Sequence, residues 1–116
     1  MQDIVFEKDV DFIFKALADT TRRKIMELLS RGDASVKELA SHFTHSLPSL
    51  MQHLSILEAS GLINTKKVGR VRTCSLDINK LDVIDTWIAE QHVIWEHRMD
   101  RLELFIQNNK KDTTDE

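Results

Sequence analysis

Apolar residues in the first part of the chain recur at helical steps. Phe6, Val10, Ile13, Phe14 and Leu17 lie three and four positions apart and form one stripe, which predicts a first helix over about residues 7–18. Asp19, followed by Thr20 and Thr21, supplies N-cap chemistry for a second helix that carries Ile25, Met26, Leu28 and Leu29. Gly32 can end that helix as a left-handed C-cap. Ser35-Val-Lys-Glu38 has capping-box spacing and starts a third helix that ends near Phe43. A fourth helix begins after Ser46, with Pro48 in its first turn, where a missing N–H costs nothing. Leu47, Leu50, Leu54 and Leu57 are its expected buried stripe, and Gly61 stops it. The stretch from Leu62 to Asp77 is rich in β-branched residues around Gly69-Arg70 and predicts a β-hairpin. A long last helix follows from about Lys80 to Gln107. The tail from Asn108 to Glu116 is polar, lacks apolar residues and is expected to be disordered.

The expected fold is therefore mostly α with a small β-hairpin, in the order α-α-α-α-β-β-α. About three residues, Phe43 to His45, separate helices three and four, which is helix-turn-helix spacing. The hairpin then stands where a winged helix carries its wing. Residues 1–107 are expected to form one winged helix-turn-helix domain with dimerising terminal helices, and residues 108–116 a tail.

Composition narrows the function. A chain of 116 residues holds one small core. Its single cysteine, Cys74, excludes an intramolecular disulfide and a cysteine-rich zinc site. The start, MQDIVFEKDV, carries acids where a signal peptide carries basic residues, and the apolar runs fall far short of the ~18 residues that span a bilayer. The expectation is a cytoplasmic protein with no membrane partner. Three glycines and one proline fit a helical chain and leave little scope for a phosphate-cradling loop. No nucleophile elbow is present either, so an enzyme is not expected and no cofactor is implied.

The net charge of −3 weighs against nucleic acid until it is divided along the chain. Residues 1–19 and 73–116 are acidic, whereas residues 20–72 hold nine basic side chains against four acidic ones. The basic segment is the helix-turn-helix plus hairpin, and phosphate contacts need local rather than global positive charge. On helix four the face opposite the leucines carries Pro48, Ser49 and Gln52, with His53 and Ser55 at its edges. Gln can pair with adenine through two hydrogen bonds, and Ser and His can donate to bases or phosphates. The candidate DNA-binding set is Ser35, Lys37, Ser46, Pro48, Ser49, Gln52 and His53, with Lys66, Lys67, Arg70 and Arg72 on the hairpin to grip phosphate.

From Phe14 to Leu76 the sequence resembles the ArsR/SmtB family of winged helix-turn-helix repressors. FKALADTTRRKIMELL, VKELASHF and SLPSLMQHLSILEASGLI carry the resemblance, and the run from Gln52-His53-Leu54 to Gly61-Leu62 is its most specific part. KKVGRVRTCSL looks like the family's wing. The resemblance implies a homodimer that binds double-stranded DNA at an inverted repeat and represses transcription. Met51 stands where many members carry a small polar residue.

The family's metal chemistry matches less well. Its helix-three site needs thiolates, and Glu38-Leu39-Ala40-Ser41-His42 offers none. On the last helix His92, Glu96, His97 and Asp100 could supply ligands to a site shared across a dimer; the alternative is a polar helix face. That run, with Trp87 and Trp95-Glu96, resembles a metal-independent branch, and it names no effector. Cys74 could be a redox switch or a small hydrophobe. Ile84, Ile88, Trp95, Met99, Leu102 and Ile106 form an apolar stripe on the last helix, expected with Phe6 and Ile13 to make a dimer interface. A winged helix used for protein–protein contact is the alternative from another functional class.

Overall fold

Helix α1 (Gln2–Leu17) and helix α2 (Thr20–Leu29) meet at a corner built around Asp19. The computed structural model describes the backbone of residues 2–114 and the side chains of residues 7–109. Asp19 Oδ2 accepts the backbone N–H of Arg22 at 3.1 Å, the N-cap bond its position predicts. Arg22 then folds back over α1, donating from Nε to Ala16 O at 2.6 Å and from Nη2 to Lys15 O at 3.0 Å. Arg23 donates to Leu17 O at 2.7 Å. Two guanidinium groups thus close the last carbonyls of α1, where unsatisfied acceptors and the negative end of the helix dipole both favour a cation.

Strand β1 (Ala34–Ser35) and helix α3 (Val36–Ala40) follow. Ser35 Oγ caps α3 by accepting Glu38 N–H at 3.1 Å. α3 ends at Ala40 rather than near Phe43, so the connection to α4 (Leu47–Ala59) runs over residues 41–46. Ser46 caps α4 by accepting the N–H of Ser49 at 3.3 Å. Gly61, at φ +82°, ends α4 with Gly61 N–H on Glu58 O and Leu62 N–H on Leu57 O, the paired bonds of a Schellman motif.

Strands β2 (Ile63–Val68) and β3 (Val71–Leu76) form the expected hairpin, turning at Gly69 with φ +62°. The expectation of two strands is corrected: β1 joins the other side of β3, with Ala34 opposite Cys74 and Ser35 opposite Thr73, to give an antiparallel sheet in the order β1-β3-β2. Across β2 and β3, Ile63 faces Leu76, Thr65 faces Cys74 and Lys67 faces Arg72, so these six share one face.

The core is made by Val10, Ile13 and Ala16 of α1, Ile25 and Leu29 of α2, Leu39 of α3, Leu50, Leu54 and Leu57 of α4, and Leu62, Ile63 and Cys74. Two expectations fail here. Leu47 is not in the buried stripe but 58% exposed, because the core begins one turn into α4, at Leu50. Ile13 is wholly buried inside its own chain, and Ile84 nearly so, which removes both from any face open to a second chain.

Helix α5 spans Ile78–Thr114, so residues 108–114, read from sequence as tail, continue the helix. The chain divides after Ile84 into two units, residues 1–84 and 85–116. In the second unit Ile88, Trp95, Met99, Leu102 and Ile106 are exposed. Phe6, the remaining residue expected in that interface, has its side chain outside the described residues.

The Asp19 corner gives a measurable expectation. Asp19→Ala should lower stability by about 1 kcal/mol, read from urea unfolding at neutral pH. The Arg22 N–H holds the Asp19 carboxyl below its ordinary value; burial opposes that, and the nearby His53 and Arg22 charges assist it. A depressed carboxyl stabilises above its unfolded value, so the cost of the substitution should be full at neutral pH and shrink below about pH 4.

Candidate nucleic-acid interface

The N-terminal ends of α3 and α4 open onto the hairpin across a groove of about 390 Å³. Ser35, Val36 and Lys37 line it from the start of α3, Leu47 and Met51 from α4, and Lys67, Arg70, Val71 and Arg72 from the hairpin. Four of these nine residues are basic and none is acidic. Sheet register explains the choice. Lys67 and Arg72 share the face of the core residues Ile63 and Cys74 but lie beyond the edge of the core. Lys66 is on the opposite face, paired with Thr73, and is exposed outside the groove.

Of the sequence-predicted set, Ser35, Lys37, Lys67, Arg70 and Arg72 therefore meet in one place. Pro48 and Gln52 are exposed on the outward face of α4, and Ser49 is half-buried beside them. Ser46 is exposed, with its Oγ committed to capping α4.

His53 is different, and its expected place on the reading face is corrected. Its side chain is only 17% exposed. Arg22 Nη1 donates to His53 Nδ1 at 3.1 Å, with Asp19 Oδ2 at 3.7 Å. A guanidinium can only donate, so this bond belongs to the neutral ring with its proton on Nε2, whereas a protonated ring turns its Nδ1–H to Asp19. The His45 ring packs edge-on at 5.7 Å, and its Nε2 lies 3.3 Å from Thr21 Oγ1. His53 thus ties α4 to the α1–α2 corner rather than facing outward. Arg22 and Arg23 have their guanidinium groups engaged by the last carbonyls of α1.

The apolar groove residues Val36, Leu47, Met51 and Val71 were absent from the sequence-predicted set. Leu47 and Met51 are one helical turn apart on the flank of α4 away from His53. The one available signal was Met51, an apolar residue on a helix whose outward positions are otherwise mostly polar.

Cys74 is fully buried in β3 and burial pushes its thiol up, leaving little thiolate for oxidation or metal binding. Among the described residues, no group of three or more His, Cys, Asp or Glu side chains is placed to hold a metal ion. His92, Glu96, His97 and Asp100 are all exposed on α5. No helix among the described residues is long and apolar enough to cross a membrane.

A helix pair capped by Ser35 and Ser46, preceded by β1 and followed by a basic-tipped hairpin that pairs with it, defines a winged helix-turn-helix, the fold of a DNA-binding transcriptional regulator rather than an enzyme. The description "Bacterial regulatory protein, arsR family" matches residues 19–65. The transcriptional repressor SdpR of Bacillus subtilis (strain 168) is 38% identical over 76 residues, covering 66% of this chain and 84% of that protein. The crystal structure of an ArsR family transcriptional regulator superposes with a TM-score of 0.75 at 48% identity, over 78% of this chain and 93% of the other. The solution structure of a homodimeric winged helix-turn-helix DNA-binding domain from Mycobacterium bovis shares the fold, with a TM-score of 0.63 at 23% identity over 79% and 88% of the two chains. The chain belongs to the ArsR family of bacterial regulatory proteins.

Proposed function

We propose that the chain is a cytoplasmic repressor that acts as a homodimer on an inverted-repeat operator. One observation carries this reading: Lys37, Lys67, Arg70 and Arg72 converge on one groove beside the exposed start of α4. In this reading α4 enters the major groove and offers Gln52, while the wing cations hold the phosphates on either side. Residues 1–107 act as the functional unit. Exposed Ile88, Trp95, Met99, Leu102 and Ile106 on α5 meet a second copy. The homodimeric state of the Mycobacterium bovis domain supports the dimer, and the repressor SdpR supports the direction of regulation. Two recognition helices would then sit one DNA turn apart, ~34–36 Å.

Footprinting on the DNA upstream of the chain's own coding sequence tests the proposal, with light scattering on the same sample. Expected are a protected inverted repeat, the mass of a dimer and protection that weakens steeply with added salt. A 13.5 kDa particle at micromolar concentration, or no protection at low salt, would overturn it.

A further inference from the structure

The groove joins two properties. Its rim is cationic, through Lys37, Lys67, Arg70 and Arg72, while Leu47 and Met51 line its α4 wall. Leu47 is 58% exposed in the first turn of α4, where no core residue covers it. Such a rim admits a polyanion. Of the groups that base pairs show in the major groove, the thymine 5-methyl is the one methyl; cytosine has only a C5–H at that position, and the rest are hydrogen-bond donors and acceptors. Against Leu47 and Met51 those donors and acceptors would lose water without gaining a partner.

We propose that Leu47 and Met51 form a thymine-reading site, which selects operator positions by the 5-methyl group on duplex DNA held by the four surrounding cations. The proposal rests on the DNA-binding function and adds a specificity element to it. Gln52, one residue beyond Met51 and on the outward face, then reads a neighbouring base pair by hydrogen bonding.

The test compares duplexes differing only in that methyl group. Bound duplexes are selected from a random library with the full-length protein, and the enriched sequence is synthesised with thymidine or with deoxyuridine at each T. Wild-type protein is expected to bind the thymidine duplex more tightly, by about fourfold per thymine read. Leu47→Ala and Met51→Ala are each expected to lower that ratio toward one while retaining binding. Leu47 is exposed, so its variant should keep the wild-type circular dichroism and melting point; the wild-type ratio in any case needs no variant. Equal wild-type affinity for the two duplexes overturns methyl reading while leaving DNA binding intact. Failure to enrich any sequence at low salt overturns the DNA-binding reading itself.

Discussion

Alanine at Lys67, Arg70 and Arg72 together should lower affinity for duplex DNA on the order of a thousandfold, and by a similar factor for operator and random sequence. The three side chains line one wall of the groove and are exposed. Each can make a charge-assisted bond to phosphate worth about 1.5 kcal/mol, and tenfold in affinity corresponds to about 1.4 kcal/mol. Because such contacts release counterions, the slope of log affinity against log salt should flatten by about three units. Fluorescence anisotropy over a salt series reads both quantities. A large loss confined to one sequence would mean that the wing reads bases instead of holding phosphates. Lys66→Ala is the internal control: it carries the same charge on the opposite face of the sheet, so its effect should be much smaller.

Leu57→Ala should destabilise the protein by about 2–5 kcal/mol, a large share of the ~5–15 kcal/mol that typically holds a domain of this kind together. Leu57 is fully buried on α4, which packs against α1, α2 and β2, so the truncation opens a cavity in a close-packed core. The same substitution at Leu47, on the same helix, should change stability by only about 0.5 kcal/mol or less. Chemical unfolding of the two variants side by side gives the comparison. Similar losses at both positions would show that Leu47 is covered in solution and would remove the free apolar wall from the groove.

That pair of leucines marks where sequence reading stops being sufficient. Both belong to one stripe by spacing, and periodicity assigns them the same role. What separates them is where the neighbouring elements end, which is not written in α4. The caps behaved differently. Asp19, Ser35, Ser46 and Gly61 were legible because each acts on backbone groups within a few residues of itself. Strand β1 was not legible, since two residues show no alternation and Ala34 finds its partner Cys74 some forty positions away. The basic segment was legible as a count but not as a set of roles. Arg22 and Arg23 close a helix end, Lys66 faces away, and Lys37, Lys67, Arg70 and Arg72 are what the groove retains.

Local pattern sufficed for the order of the helices, the caps at Asp19, Ser35, Ser46 and Gly61, the hairpin, the concentration of positive charge between residues 20 and 72, and with these the family; it missed the end of α2, which Ser30 caps instead of a left-handed Gly32. All of them rest on local patterns: apolar spacing, side chains that satisfy nearby backbone groups, and charge counted along the chain. The tertiary structure decided which face each residue serves. It turned His53 inward onto Arg22, placed Ile13 in the core instead of at an interface, and left Leu47 exposed among cations. Burial depends on elements distant in sequence, and a pattern within one helix cannot specify what will pack against it.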